Sequence, residues 1–172
     1  AKEALVLLGG SIRTAVSDPK NLQARGKMLL GSMLAGMAFA NSPVAAVHAL
    51  AYPLGGSFHI THGLSNALVL PAVLRFNAVD AWAAKKYAEL FPFLFPNEEM
   101  GNNNQTNASL FIEKLTVLSK ELGLPQKLRE VSIPEDACAS MAKDAMKQTR
   151  LLINNPRELS ERDAYDIYHS IW

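Results

Sequence analysis

Residues 44–77 read VAAVHALAYPLGGSFHITHGLSNALVLPAVLRFN, two apolar runs on either side of a short polar segment. Neither run alternates apolar and polar residues with the period of two that is typical of a half-buried strand. We predict a buried helix over residues 44–52, ended by the Pro-Leu-Gly-Gly of residues 53–56, and a second apolar helix over residues 64–77. The turn between them, residues 57–63, is polar and contains two histidines.

The remaining sequence also predicts helices. An opening helix has apolar residues at helical spacing, and Asp18 followed by Pro19 predicts the start of a long helix over residues 21–40. Further helices are predicted over residues 79–89, 109–122 and 134–150, one or two turns over residues 124–131, and a last helix beginning with a capping box at Ser160 and Asp163. The polar residues 97–107 predict a surface loop. We therefore predict an all-α fold, a bundle of seven to nine helices.

The composition fits one folded domain of 172 residues. Hydrophobic residues make up 49% of the chain and charged residues 19%, which is enough apolar material for one core. The net charge of +1 argues against a nucleic-acid binder, which usually carries a basic patch. No segment reads as a membrane span. We expect neither nucleic acid nor membrane as a partner.

Cys138 is the single cysteine, which excludes a disulfide within the chain. A single cysteine without a disulfide partner in the chain suits a reducing compartment, so we expect a cytoplasmic protein. We predict that Cys138 lies exposed in the first turn of the helix over residues 134–150.

Three of the four histidines lie within residues 48–62. His48 is on an otherwise apolar helix, and His62 directly precedes Gly63 and the next helix. A glycine-containing turn can fold His62 back toward the helix face that carries His48. Imidazole is a common ligand of Zn, Fe, Cu and Ni, so the two rings are candidates for holding a divalent metal.

A structural interpretation of the same residues is the more frequent one for such spacing. A histidine on an apolar helix is usually a core residue, and a histidine before a helix is often a cap or a surface group. A catalytic metal normally takes about three protein ligands. No third ligand is evident, because Asp80 lies beyond a whole helix and Cys138 is far along the chain.

The run from His48 to Asn77 resembles the metal-binding signature of the iron-containing (group III) alcohol dehydrogenases. That signature reads His-Ala-x-Ala-His-x-Leu-Gly-Gly, then Pro-His-Gly and an Asn-Ala-x-x-Leu-Pro run. Two histidines fourteen positions apart are ligands in that family, and His48 and His62 have this separation. The resemblance extends from the opening helix to Asn155-Pro156-Arg157, and so covers nearly the whole chain.

The resemblance implies that residues 1–172 are one metal-binding domain, the helical, dehydroquinate synthase-like C-terminal domain of such an enzyme. The family's N-terminal NAD(P)-binding domain would then be absent from this chain. The other two family ligands, an Asp and a His one helical turn apart, would also precede Ala1. We expect the chain, which begins without Met and within a helical pattern, to be part of a longer protein.

Two positions depart from the family pattern. Tyr52 stands where a second histidine often lies near the substrate, one helical turn from His48 and on the same face. It retains a hydroxyl that can donate a hydrogen bond to a substrate oxygen or relay a proton. Thr61 replaces the usual Pro before His62. His59, inside the turn, is a candidate substrate-pocket or proton-path residue, and a solvent-facing role fits it equally well.

The implied activity is NAD- or NADP-dependent oxidation of an alcohol to an aldehyde or ketone, or the reverse. The implied metal is Fe(II), with Zn or Ni as alternatives, acting as a Lewis acid on the substrate oxygen. We expect a small alcohol or carbonyl compound as substrate and a homodimer for the full-length protein. Two alternatives stay open: an enzyme that resembles maleylacetate reductase, and a non-catalytic helical interaction module.

The same reasoning makes two predictions about the isolated chain. It should show little or no catalysis and only weak metal binding, because it carries two of four expected ligands. The surface that would face the rest of the protein should be apolar and prone to association.

Overall fold

The computed structural model describes all 172 residues, and every regular element in it is helical. The ten α-helices are α1 Lys2–Gly9, α2 Ile12–Ser17, α3 Leu22–Asn41, α4 Ala46–Phe58, α5 His62–Asn77, α6 Ala81–Leu94, α7 Asn104–Glu121, α8 Ala137–Ala145, α9 Thr149–Leu152 and α10 Glu161–Ser170. One 3₁₀ turn covers Leu128–Val131. The predicted all-α fold is confirmed.

The number of helices exceeds the predicted seven to nine because two predicted helices are each divided. The opening helix is interrupted at Gly10 and Ser11, which separate α1 from α2. The helix predicted over residues 134–150 ends at Ala145, and α9 begins four residues later at Thr149, after Gln148 leaves the helical conformation. This bend lets α9 pack against α4.

Two helices extend past the ends that the sequence predicts. The predicted end of α4 at residues 53–56 is wrong, since the helix continues through Pro53 to Phe58. The predicted end of α6 at residue 89 is also wrong, since that helix continues through Pro92 to Leu94. A proline removes one backbone hydrogen bond, and α4 offsets this loss by burying six residues, including Pro53 itself.

Side-chain caps define four helix starts. Asn21, not Asp18 as predicted, caps α3, and its Oδ1 accepts from the backbone N–H of Ala24 at 3.0 Å. Asp80 and Asn103 cap α6 and α7 in the same way, so the predicted loop over residues 97–107 ends at Asn103. The capping box at Ser160 is confirmed. Each cap satisfies a backbone N–H that the helix itself leaves unpaired.

The main core lies between α4, α5, α8 and α10. Leu50, Val69 and Met141 are fully buried there. Cys138 is also fully buried, which corrects the prediction that it is exposed: the first turn of α8 faces the core. Burial raises the pKa of its thiol, so Cys138 behaves as a small apolar core residue.

A partly buried amide pair connects the end of α5 to the turn before α10. Asn77 Nδ2 donates to Asn155 Oδ1 at 3.1 Å, and Asn155 Nδ2 donates to Asn77 Oδ1 at 2.8 Å. Arg157 adds a hydrogen bond of 3.0 Å to the Phe76 carbonyl and stacks on the Phe76 ring. These contacts therefore hold the Asn-Pro-Arg segment, residues 155–157, against the end of α5.

Helix α3 packs mainly against α1 and α2 and leaves much of its surface exposed. Exposed apolar side chains on it include those of Leu22, Leu29, Met33 and Met37. No single helix has both the length and the hydropathy of a membrane span. Taken together, α3 and α4 meet those criteria by length and composition only, with a bend of 110° between them.

Candidate metal centre

Helix α4 places two candidate residues on one face. His48 is the third residue of the helix and Tyr52 follows one turn later, so their side chains lie above one another. His48 is half-buried, whereas Tyr52 is 43% exposed. The buried residues of α4, including Ala49 and Leu50, face the main core and hold the opposite side of the helix in place.

The turn after α4 reverses the chain direction. His59 takes a left-handed conformation with φ 57°, and its N–H donates to the Gly55 carbonyl at 3.1 Å. The Ile60 N–H donates to the Leu54 carbonyl at 3.3 Å. Ser65 Oγ donates to the Thr61 carbonyl at 3.1 Å, which fixes the first turn of α5. The result is a defined position for the first residue of α5, which is His62.

The imidazole rings of His48 and His62 face one another across this turn. Their centroids lie 5.2 Å apart and their planes are tilted by 54°. The Tyr52 ring centroid lies 6.4 Å from that of His62. The structure therefore brings three of the four sequence-predicted site residues together. His59 is not one of this group, because it ends α4 with an exposed side chain.

The surroundings of His48 favour its neutral form. Burial lowers the pKa of His48, and the nearby His62 lowers it further because two adjacent positive charges repel. A neutral imidazole keeps the lone pair that binds a metal ion. No group of three or more His, Cys, Asp or Glu side chains in the chain is arranged around a common point. The donor set fits a divalent metal as two of its ligands.

Asn66 is a polar neighbour of the pair that the sequence analysis did not single out. Its Nδ2 lies 3.1 Å from Nε2 of His62 and 3.4 Å from Nδ1 of the same ring. Helical spacing could have predicted this contact, because Asn66 lies four residues after His62, one turn along an otherwise apolar helix.

Comparison with known proteins identifies the same kind of domain. Residues 1–172 match the family model described as Fe-containing alcohol dehydrogenase family, C-terminal. The chain is 41% identical over 170 residues to long-chain-alcohol dehydrogenase 1 of Geobacillus thermodenitrificans, an alignment that covers 99% of the chain and 42% of that protein. It is 36% identical over 168 residues to 1,3-propanediol dehydrogenase of Citrobacter freundii, covering 98% and 42%.

A solved structure has the same architecture. The chain superposes on 1,3-propanediol oxidoreductase with a TM-score of 0.92 and 34% sequence identity. The superposition covers 99% of this chain and 44% of that one. The chain thus spans less than half the length of the relatives that it matches.

Proposed function

Since the chain belongs to the Fe-containing alcohol dehydrogenase family, we propose that it forms the metal-binding part of an NAD(P)-dependent enzyme interconverting alcohols and aldehydes or ketones. It is the C-terminal helical domain of that family, so the predicted family and fold are confirmed. The relatives named above are alcohol and 1,3-propanediol dehydrogenases, which supports an alcohol or its carbonyl product as substrate.

The His48 and His62 pair is the observation that carries the proposal. Two imidazoles with centroids 5.2 Å apart can direct nitrogen lone pairs toward one cation. The lowered pKa of His48 keeps that ring neutral near pH 7, which a ligand nitrogen requires. We propose that the remaining metal ligands and the nucleotide-binding domain belong to parts of the protein outside these 172 residues.

The residues around the pair have separate roles in this proposal. A divalent metal, when bound, supplies Lewis acidity at the substrate oxygen, and a nicotinamide cofactor supplies the hydride acceptor. Tyr52 lies beside His62 with its side chain partly exposed, so its hydroxyl can donate a hydrogen bond to that oxygen. His59 is exposed at the end of α4, where a solvent-facing role suits it better than a role at the reacting atoms.

Zn²⁺ titration of the chain, followed on the ring signals of its four histidines by NMR, tests the metal site. We expect the signals of His48 and His62 to shift together while those of His59 and His169 do not. Replacing His48 by Ala should abolish the response of His62, whereas His59→Ala should leave it intact. Binding that survives His48→Ala and His62→Ala would contradict the proposal.

A chimera tests the reaction itself. In it, this chain replaces the matching segment of the Geobacillus thermodenitrificans protein, which the alignment spans over 170 residues. We expect alcohol-dependent NAD(P)H formation that is lost in the His48→Ala and His62→Ala chimeras. Equal activity in the chimeras with and without the two histidines would contradict a role for this pair.

A further inference from the structure

Helix α3 carries apolar residues on two opposite faces. Its buried residues, Ala24 and Gly31, lie on the side that packs against α1 and α2. Five of its large apolar side chains are between 45% and 81% exposed, those of Leu22, Leu29, Leu30, Met33 and Met37. At about 100° per residue, these five lie within about a third of the helix circumference, opposite the buried residues. We call this uncharged surface the outer face of α3.

Two glycines belong to the outer face without a reason inside this chain. Gly26 lies within the face and Gly36 at its edge. A Cβ at either position would meet nothing within 4 Å, so no contact in the chain requires glycine there. Glycine within a helix lowers stability relative to alanine, but it lets another backbone approach closely. Both positions therefore suit a face against which further polypeptide packs.

A helix that is apolar on all sides belongs in the core of a larger protein or in a membrane. On its own, α3 does not have the length and hydropathy of a membrane span. It meets those criteria only together with α4, which buries six residues in the main core. Insertion of the pair into a membrane would remove α4, and His48 with it, from that core. The structure thus favours a protein as the occupant of the outer face.

The alignments indicate which polypeptide this is. The chain matches a family model for a C-terminal domain, and its alignment covers only 42% of the Geobacillus thermodenitrificans relative. Any polypeptide that precedes Ala1 enters the fold through α1, the helix that packs along α3. We propose that the polypeptide preceding this domain in the full-length protein docks on the outer face of α3, with its backbone closest at Gly26 and Gly36. The inference rests on the proposed function only in placing further polypeptide outside these 172 residues.

Cysteine labelling measures whether the outer face is covered. Because Cys138 is fully buried, Met33→Cys adds an accessible thiol to the chain. A covered thiol reacts only through local opening, so we expect maleimide to modify it at least about tenfold more slowly in the Geobacillus chimera than in the dilute isolated chain. Val79→Cys is the control, since Val79 is 71% exposed between α5 and α6, and it should react equally fast in both proteins. Mass spectrometry identifies the modified cysteine.

Replacing Gly26 gives a second measurement, in which the sign of the effect changes. Gly26→Ala should raise the Tm of the isolated chain by about 1–4 °C, because alanine favours the helix and its Cβ meets nothing there. In the chimera the same Cβ would meet the docked backbone. We therefore expect Gly26→Ala to lower the Tm of the chimera.

The outcomes separate this inference from the proposed function. Equal labelling of Met33→Cys in the isolated chain and in an active chimera overturns the inference and leaves the proposed function standing. An inactive chimera with a protected outer face supports the inference and overturns the proposed function. Protection that is lost when the chimera is diluted identifies a second copy as the occupant and overturns the inference. Flotation of the chimera with phosphatidylglycerol vesicles, abolished by Leu29→Lys with Met33→Lys, identifies a membrane and also overturns it.

Discussion

The hydroxyl of Tyr168 donates a hydrogen bond of 2.7 Å to the backbone carbonyl of Leu50, which joins α10 to α4 across 118 residues of sequence. Both residues are fully buried. Burial raises the pKa of the Tyr168 hydroxyl, so this group stays protonated and continues to donate. Because α4 also carries His48 and Tyr52, this bond helps hold the candidate metal centre against the core.

Replacing Tyr168 by Phe tests that connection. The change removes one buried hydrogen bond, so we expect the free energy of unfolding to fall by about 1 kcal/mol and Tm to fall by about 2–4 °C. Tyr165→Phe is the matched control, because it makes the same change at a half-buried tyrosine of the same helix. Thermal unfolding by circular dichroism measures both variants. Equal Tm values for the two variants would show that the bond does not stabilise the fold.

Two glycines of α3, Gly31 and Gly36, should respond in opposite directions to replacement by alanine. A Cβ at Gly31 would lie 2.8 Å from Cγ of Leu8 and 3.3 Å from Cβ of Leu7, so Gly31→Ala should destabilise by about 1 kcal/mol or more. A Cβ at Gly36 meets nothing within 4 Å, so Gly36→Ala should stabilise by about 0.5–1 kcal/mol through helix propensity. Urea unfolding measures whether each variant raises or lowers the free energy of unfolding. Stabilisation by both variants would mean that α1 and α3 do not pack this closely.

The capping box of α10 predicts a pH dependence. Hydrogen bonds from Ser160 hold the pKa of the Asp163 carboxyl below its ordinary value. A lowered folded-state pKa contributes stability above the unfolded-state pKa, and that contribution is lost as pH falls through the folded-state pKa. The stability difference between the native chain and Asp163→Asn should therefore be constant above about pH 5 and shrink below about pH 4.

Urea unfolding at pH 7 and at pH 3 measures this difference. At pH 7, Ser160→Ala should lose about 1 kcal/mol, whereas Ser160→Thr, which keeps the hydroxyl, should lose less. A stability difference for Asp163→Asn that persists undiminished at pH 3 would argue against an ionised carboxylate as the acceptor.

The exposed apolar side of α3 should make the chain associate. Leu29 is 75% exposed and lies one turn before Met33, so two lysines placed there would interrupt the apolar surface. We expect light scattering to show association that rises with concentration and is suppressed by Leu29→Lys with Met33→Lys. Ile153→Lys is the control, since Ile153 is 83% exposed but belongs to the end of α9 and not to α3. A native chain that stays monomeric at high concentration would contradict this prediction.

Local sequence patterns predicted the helices well but their ends less well. The helix predicted over residues 64–77 agrees with α5 to within two residues, and the capping box at Ser160 is where the sequence placed it. Pro53 misled the prediction of where α4 ends, because a proline reports only the local loss of one hydrogen bond. Whether that loss ends a helix depends on how much apolar surface the continuing helix buries.

The sequence by itself determined the all-α class, the family and the pair of histidines worth examining, because helical periodicity and a long motif are properties of neighbouring residues. Only the tertiary structure decided that the His48 and His62 rings meet, that His59 stays apart, that Cys138 is buried and that Asn66 contacts His62. Ring distances, burial and the choice of hydrogen-bond partner depend on how α4 and α5 are held by the turn and the core. These long-range packing energies do not appear in any short stretch of sequence.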